Sequence, residues 1–171
     1  MSKVFIEENG IYGLDYEQAI WASDQMHEEY FKAGLQISNA DFVLENQNNI
    51  LIVEYKNATI SGAVSPGAFN PEDDKKMNSI IRKFYDSLHY LRLLKKDKPV
   101  EYIYVLEYPK GDSVTRKRLR ERLKRFLPFK LQENMNTGVK LIEKVDVLSI
   151  EEWNNHKVYG EYPFVKMPIS N

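Results

Sequence analysis

The chain contains no cysteine and no long apolar stretch, and both absences restrict what it can be. Without cysteine it can form neither disulfide bonds nor thiolate zinc sites. No apolar run approaches the roughly 20 residues that span a bilayer. The first residues also lack the apolar segment of a secretory signal. We therefore expect a cytoplasmic protein that does not associate with membranes.

Histidine and glycine are missing from the patterns in which they carry chemistry. His27, His89 and His156 lie far apart in sequence and show no zinc-ligand spacing. Gly10 and Gly13 are isolated, and no Lys-Ser or Lys-Thr pair follows either of them, so there is no phosphate-binding glycine loop. A serine nucleophile elbow is absent as well. These chemistries are therefore poorly supported.

The composition is that of an ordinary globular protein. Hydrophobic residues make up 43% and charged residues 29% of the 171 residues. This length suffices for one domain with its own core, and no domain boundary is needed. We expect a single domain over residues 1–171.

The formal net charge of −1 conceals an uneven distribution of charge along the chain. Residues 1–74 carry three Lys and Arg against thirteen Asp and Glu, whereas residues 75–130 carry seventeen against six. A basic segment of this kind is where a polyanion such as nucleic acid would be held. The acidic part of the chain holds the residues that could bind a cation.

Asp41 and Glu54 lie at the ends of two short apolar runs, residues 42–44 and 50–53. The turn-forming residues 45–49 separate the runs, which predicts a β-hairpin. Pairing of the runs would bring Asp41 opposite Glu54. Because side chains alternate along a strand, Glu54 and Lys56 should face one side and Tyr55 the other. The carboxylates of Asp41 and Glu54 suit Mg²⁺ or Mn²⁺.

The stretches 39–44 and 51–56 resemble the motif of the PD-(D/E)XK nuclease superfamily, in which an Asp begins one strand and Glu-x-Lys ends the next. Ala40 stands where the family name has Pro. The resemblance implies an α/β restriction-endonuclease-like fold, with a central mixed sheet flanked by helices in the order helix, three strands, helix, strand. It also implies the Tyr55 carbonyl as an additional metal ligand. Lys56 would orient or deprotonate the attacking water and stabilise the charge on the phosphate.

A third carboxylate is expected from the first helix, as the resemblance implies. Apolar spacing predicts that helix over residues 16–32, with Asp15 as N-cap. Its acidic stripe offers Glu17, Asp24 and Glu28. Glu17 is the first choice, as in the Holliday-junction-resolvase branch, and Glu28 is the second. A solvated acidic edge is an equally good explanation of each.

The remaining pattern predicts a loop over 61–71, a long amphipathic helix over 72–96, a strand over 100–107 and a helix over 115–126. A final strand over 139–148 and a short helix starting at Ser149 should follow, with an irregular tail containing Pro163 and Pro168. The cations expected to contact nucleic-acid phosphates are Lys76, Arg82, Lys83, Arg116, Lys117, Arg120 and Lys124.

Two functions are compatible with this sequence. The first is a metal-dependent endonuclease that hydrolyses phosphodiester bonds of nucleic acid, most readily DNA, in restriction, repair, recombination or mobile-element processes. The second is a catalytically inactive nuclease-like module that binds nucleic acid or a partner protein through residues 75–130. Cutting both strands of a duplex with one site per subunit would favour a homodimer.

Overall fold

The computed structural model describes residues 3–59 and 69–168. The strands are β1 Val4–Ile6, β2 Tyr12–Asp15, β3 Trp21–Ser23, β4 Phe42–Glu45, β5 Ile50–Asn57, β6 Val100–Glu107, β7 Ile142–Leu148 and β8 Phe164–Lys166. The α-helices are α1 Met26–Lys32, α2 Asp74–Leu93, α3 Ser113–Lys124, α4 Phe129–Met135 and α5 Ile150–Asn155, and a 3₁₀ helix spans Tyr159–Glu161.

A mixed five-stranded sheet in the order β3-β4-β5-β6-β7 forms the centre of the molecule. The pairs β3–β4 and β4–β5 are antiparallel, whereas β5–β6 and β6–β7 are parallel. Each parallel connection passes through helices, α2 in the first case and α3 with α4 in the second. The protein is therefore α/β, as the sequence predicts.

Two layers of core lie on opposite faces of this sheet. One face packs against α2 and α3, burying Ile52 with Phe84 and Leu119. The other face is covered by α5 and by a small antiparallel sheet in the order β1-β2-β8. Because both faces are buried, β5 and β6 are continuous apolar runs rather than alternating ones.

The hairpin predicted between residues 42–44 and 50–53 is present as β4 and β5. Asn46 closes its turn: its side-chain oxygen accepts hydrogen bonds from the backbone N–H groups of Asn48 (3.0 Å) and Asn49 (2.8 Å). The register pairs Phe42 with Val53, so the residues just beyond this pair meet at the end of the hairpin.

The long helix predicted over 72–96 is confirmed as α2. Asp73 caps it by accepting hydrogen bonds from the N–H groups of Lys75 (2.9 Å) and Lys76 (3.3 Å). The predicted strand over 100–107 is confirmed as β6, and α3 begins two residues earlier than predicted. Ser149 caps α5, accepting from the N–H of Glu152 at 3.1 Å.

The helix predicted over 16–32 is wrong in its first half. Residues 21–23 form β3, which pairs with β4 at the edge of the sheet, and α1 starts only at Met26. The predicted apolar face is not a buried helix face, because Ile20 is 61% exposed and Phe31 is 75% exposed. Asp15 belongs to β2 and accepts from the N–H of Glu17, so it is not a helix cap. Edge-strand pairing has overridden the helical spacing.

Three further differences concern the C-terminal third. The strand predicted over 139–148 begins at Ile142, α4 was not predicted, and the tail contains β8, which pairs with β2. The strands β1 to β3 also precede the first helix, unlike the predicted order. The loop predicted over 61–71 lies largely outside the described residues. No described helix has the length and apolar character needed to cross a membrane.

Candidate metal site at the end of the sheet

Asp41 and Glu54 meet where β4 and β5 pair. Asp41 immediately precedes β4, and its Oδ2 accepts a hydrogen bond from the backbone N–H of Tyr55 (2.8 Å). Both side chains fall on the sheet face that carries Val43 and Ile52, which is the face covered by α2. Their carboxyl groups are close enough that each affects the pKa of the other. The strands thus place two hard oxygen donors side by side.

Helix α2 fixes the segment that leads into β4. The N–H of buried Ala40 donates to Ser87 Oγ (2.9 Å), and the N–H of Ser38 donates to Asp86 Oδ2 (3.0 Å). Ser87 is fully buried. Because these bonds hold the backbone directly before Asp41, they fix the position from which its carboxylate projects.

Glu54 is a buried carboxyl group with only half of its hydrogen-bonding capacity used. It is 4% exposed, and Oε1 lies 2.5 Å from the ammonium of Lys83 on α2. Its other oxygen, Oε2, is buried and has no hydrogen-bond partner among the described residues. Burial, followed by the charge of Asp41, raises the pKa of Glu54 to about 8, although Lys83 and Lys56 oppose the shift.

Burial and nearby charges also shift the pKa values of Asp41 and Lys83. Burial raises the pKa of Asp41 and Glu8 adds to this effect, while the Tyr55 N–H and Lys83 lower it. Burial alone would lower the pKa of Lys83, but the charges of Glu54 and Asp41 outweigh it and the net shift is upward. Two features therefore limit the negative charge of the cluster: Glu54 retains a proton near neutral pH, and Lys83 contributes a positive charge.

Lys56 and Tyr55 flank this cluster on opposite faces of β5, as alternation predicts. The ammonium of the exposed Lys56 lies 5.6 Å from the ring centroid of Phe69. The ring of Tyr55 is buried and stacks on Phe164 with centroids 5.3 Å apart. Thus Lys56 is available to a ligand, whereas only the backbone of Tyr55 faces the cluster.

A pocket of about 210 Å³ opens at this end of the sheet. The charged side chains around it are Glu7, Glu8, Asp24, Asp41 and Lys56. Its walls are the turn between β1 and β2, the residue after β3, and the adjacent ends of β4 and β5. The pocket is thus strongly acidic with a single lysine at its border.

The carboxylates predicted from the first helix have different positions. Glu28 is exposed on α1 and pairs with Lys32 (2.9 Å). Glu17 lies before β3, outside any helix and outside the lining of the pocket. Of the predicted stripe only Asp24 reaches the pocket, from the segment between β3 and α1. A metal role for Glu17 stays a prediction, but the helix that motivated it is absent there.

Sequence reasoning missed the turn that carries Glu8. The dipeptide Asn9-Gly10, between two alternating apolar segments, is a strong hairpin signal that could have located it. Gly10 adopts a positive φ of 71°, which a turn of this kind requires and which glycine permits at little cost. No local sequence pattern predicts the contact between Lys83 and Glu54, because this contact depends on how α2 crosses the sheet.

No group of three or more His, Cys, Asp or Glu side chains within residues 3–59 and 69–168 converges closely enough to hold a metal ion as it stands. The two central carboxyl groups are also engaged by other groups of the fold. The ammonium of Lys83 donates a hydrogen bond to Glu54 Oε1, and the N–H of Tyr55 donates one to Asp41 Oδ2. The unpaired, buried Oε2 of Glu54 nevertheless fits a divalent cation, since a cation would satisfy it.

Several cations of the basic segment form ion pairs with acidic residues of the fold. Arg116 pairs with Glu152, and Arg120 lies 3.2 Å from Glu121 and 3.6 Å from Asp146. Both arginines were predicted to contact phosphates, and such contact would have to compete with these acids. Lys83, predicted for the same role, is held by Glu54.

Other predicted phosphate-binding cations are more available. Lys117 and Lys124 are exposed on α3, and Lys124 lies 5.6 Å from the ring centroid of Phe129. Lys76 and Arg82 are exposed on α2, where Arg82 approaches Asp86 only at 3.8 Å. Their contact with nucleic acid stays a prediction.

No protein-family model, curated protein or solved structure matches this chain. The functional argument therefore depends on the geometry of the site.

Proposed function

We propose that this protein is a metal-dependent nuclease of the PD-(D/E)XK type, which hydrolyses phosphodiester bonds of nucleic acid and acts most readily as a DNA endonuclease. The observation that carries the proposal is the convergence of Asp41 and Glu54 at the paired ends of β4 and β5, with Lys56 two residues beyond Glu54. Placing the buried Glu54 beside the half-buried Asp41 costs folding free energy, and sites that bind ligands often contain such carboxyl pairs.

The strand topology supports the same proposal. The elements β3, β4, β5, α2 and β6 follow the strand, strand, strand, helix, strand part of the restriction-endonuclease-like order. Here α1 lies between the first two of these strands instead of before them. Ala40 occupies the family's Pro position, and its N–H donates to Ser87, which a proline could not do.

The proposed chemistry assigns a role to each residue. Asp41, Glu54 and the carbonyl of Tyr55 would hold Mg²⁺ or Mn²⁺, which supplies Lewis-acid stabilisation and an activated water when bound. The pKa of Glu54 is raised to about 8, so this carboxyl group would release a proton as the cation binds. Lys56, at the border of the pocket, would orient the attacking water and stabilise the negative charge that develops on the phosphate.

The exposed lysines on α2 and α3 support nucleic acid as the partner. Lys76, Lys117 and Lys124 would neutralise phosphates without reading sequence. A homodimer would bring two sites to a duplex, which fits an enzyme that cuts both strands.

The test is cleavage of plasmid DNA, branched DNA, single-stranded DNA and RNA by the purified chain with Mg²⁺ or Mn²⁺. We expect cleavage that a chelator abolishes and that Asp41→Asn, Glu54→Gln and Lys56→Ala each remove. Lys130→Ala is the matched control, since this exposed lysine pairs with Glu133 on α4, away from the pocket. Cleavage that persists in the Asp41 and Glu54 variants would overturn the assignment.

A second candidate is a catalytically inactive module that binds nucleic acid or a partner protein through residues 75–130. The observation that favours it is the contact of Lys83 with Glu54 Oε1 (2.5 Å), which occupies an expected ligand oxygen without a metal. Absence of cleavage on every substrate, together with binding that weakens steeply with salt, would establish this alternative.

A further inference from the structure

His156 joins α5 to the 3₁₀ helix and accepts hydrogen bonds with both its ring and its backbone. Its Nδ1 accepts from the backbone N–H groups of Val158 (3.1 Å) and Tyr159 (3.2 Å). Its carbonyl oxygen accepts from the N–H of Gly160 (2.9 Å). The first N–H groups of a helix have no partner within that helix, so His156 supplies the acceptors with which this one begins.

Acceptance at Nδ1 fixes the protonation state of this ring. A neutral imidazole accepts at one nitrogen and donates at the other, whereas both nitrogens of an imidazolium are donors. The bonds from Val158 and Tyr159 therefore require a neutral His156 with its proton on Nε2. A proton on Nδ1 would replace the acceptor by a donor, so both bonds would be lost.

Two other turns of this chain use the same spacing with acceptors that do not titrate in this range. Asn46 accepts the N–H groups of the residues two and three positions later, and Asp73 does the same at the start of α2. An amide or a carboxylate remains an acceptor between pH 5 and pH 8, which is where histidine gains its proton. The turn at His156 therefore differs from the other two in its sensitivity to acid.

This turn holds part of the core on the sheet face that α5 covers. Tyr159 is fully buried, and its ring stacks on Trp153 (centroids 4.9 Å apart) and on His156 (3.9 Å apart). The indole N–H of Trp153 donates to the carbonyl of Tyr162 (2.7 Å), which directly follows the 3₁₀ helix. The chain then enters β8, which pairs with β2. Loss of the turn would therefore loosen the packing of Trp153 and Tyr159.

Charged groups on the neighbouring strands act on the imidazole in both directions. Partial burial and the charge of Lys144 on β7 lower the pKa of His156, whereas Glu101 on β6 and Asp146 on β7 raise it. The net shift is downward from the ordinary value of 6.5. The folded state therefore binds fewer protons than the unfolded chain in this range. The stabilisation is complete above pH 6.5 and is lost as the pH falls through the folded pKa.

We propose that His156 is a pH-sensitive switch: a proton on its Nδ1 releases the N–H groups of Val158 and Tyr159, opens the 3₁₀ helix and loosens the aromatic packing on this face of the sheet. The switch is closed at neutral and basic pH and opens in acid. It belongs to different elements from the candidate metal site, and it operates whether or not the protein is a nuclease.

NMR spectroscopy of the isotope-labelled full chain tests the switch without any substitution. We expect the tautomer of His156 with its proton on Nε2 at pH 8. Protection of the Val158 and Tyr159 amides from hydrogen exchange, corrected for the intrinsic exchange rate, should fall by about threefold or more as the ring gains a proton, as loss of one hydrogen bond does. A proton on Nδ1 at pH 8, or protection that does not change when the ring is protonated, overturns the proposal.

Urea unfolding of the parent, His156→Asn and His27→Asn provides the second test. Asparagine keeps an acceptor that does not titrate, as Asn46 does in its own turn, and His27 is the matched control, an exposed histidine on α1. The contribution of Glu54 cancels in each difference, because all three proteins contain it.

Between pH 8 and pH 5 the unfolding constant of the parent should rise by about threefold or more relative to His156→Asn. Relative to His27→Asn it should stay constant, because an exposed histidine is solvated in both the folded and the unfolded state. A difference from His156→Asn that does not depend on pH, or an equal dependence with His27→Asn, overturns the proposal. If His156→Asn does not fold, the tautomer and the amide protection of the parent decide.

Discussion

Lys83 donates to Glu54 Oε1 at 2.5 Å, while the second oxygen of the same carboxyl group has no partner among the described residues. One oxygen of this buried carboxyl group is thus paired with a cation from α2, which favours its charged form. Glu54 also lies beside Asp41, whose charge favours the protonated form of Glu54, so the ionisation of this carboxyl group affects the stability of the fold. The predictions on pH follow from this contact.

Glu54 should make the metal-free protein less stable as the pH rises. Its folded pKa, about 8, lies above its ordinary value of 4.5. The folded state therefore binds more protons between these values, and the stabilisation is complete below pH 4.5 and lost as the pH passes through 8. We expect a slope of up to about 1.4 kcal/mol per pH unit from this group. Urea unfolding with chelator should show that Glu54→Gln removes the slope, and an unchanged slope would contradict it.

Removing the ammonium of Lys83 should destabilise the protein more at high pH than at low pH. In Lys83→Met the buried Glu54 loses its partner, so its pKa should rise further and its burial should remain unfavourable beyond pH 8. At pH 6 Glu54 is protonated in both proteins and the difference should be small. Above pH 8 it should grow by about 1.4 kcal/mol per pH unit. Lys130→Met, from an exposed pair on α4, should show a difference independent of pH; the same behaviour in Lys83→Met would refute the prediction.

The sequence was sufficient for the features that local pattern determines. The β4–β5 hairpin could be predicted because Asn46 closes its turn and both strands are short apolar runs. Strand alternation then fixed the faces of Glu54, Tyr55 and Lys56. Helix α2 followed from its apolar spacing and from Asp73 at its start. In each case the signal lies within a few residues of the feature that it predicts.

Features that depend on tertiary contact could not be predicted in the same way. Residues 21–23 have helical apolar spacing around them, yet they pair with β4 because the sheet offers an open edge there. The contact of Lys83 with Glu54 requires knowledge of how α2 crosses β5. The pairing of Arg116 with Glu152 likewise joins segments that are distant in sequence, so this arginine of the basic segment already has a partner within the fold. The turn at Glu8 differs, since Asn9-Gly10 gave a local signal.

Ser87 should prove more important to the site than its small size indicates. It is fully buried, and its hydroxyl accepts the N–H of Ala40, next to Asp41. Ser87→Ala leaves that buried N–H without a partner, which should lower the free energy of unfolding by about 1 to 3 kcal/mol. Urea unfolding measures this loss. Ser79→Ala is the control, because Ser79 is an exposed residue of the same helix. Equal stability of the two variants would show that the Ala40 bond contributes little.

Chemistry and binding should be separable, because the acidic pocket and the exposed lysines of α3 belong to different elements. Lys56→Ala should abolish cleavage with little change in DNA affinity. Lys117→Gln combined with Lys124→Gln should instead weaken binding to all sequences and flatten its dependence on salt, by about 0.9 units of slope for each phosphate that is no longer neutralised.

Arg116→Gln is the matched comparison on the same helix, since Arg116 pairs with Glu152 and is only 13% exposed. It should lower stability and leave the salt slope nearly unchanged. Fluorescence anisotropy of labelled DNA across a salt series measures both slopes, and a larger change from Arg116→Gln than from the lysine pair would place the phosphate-binding groups on the buried side of α3.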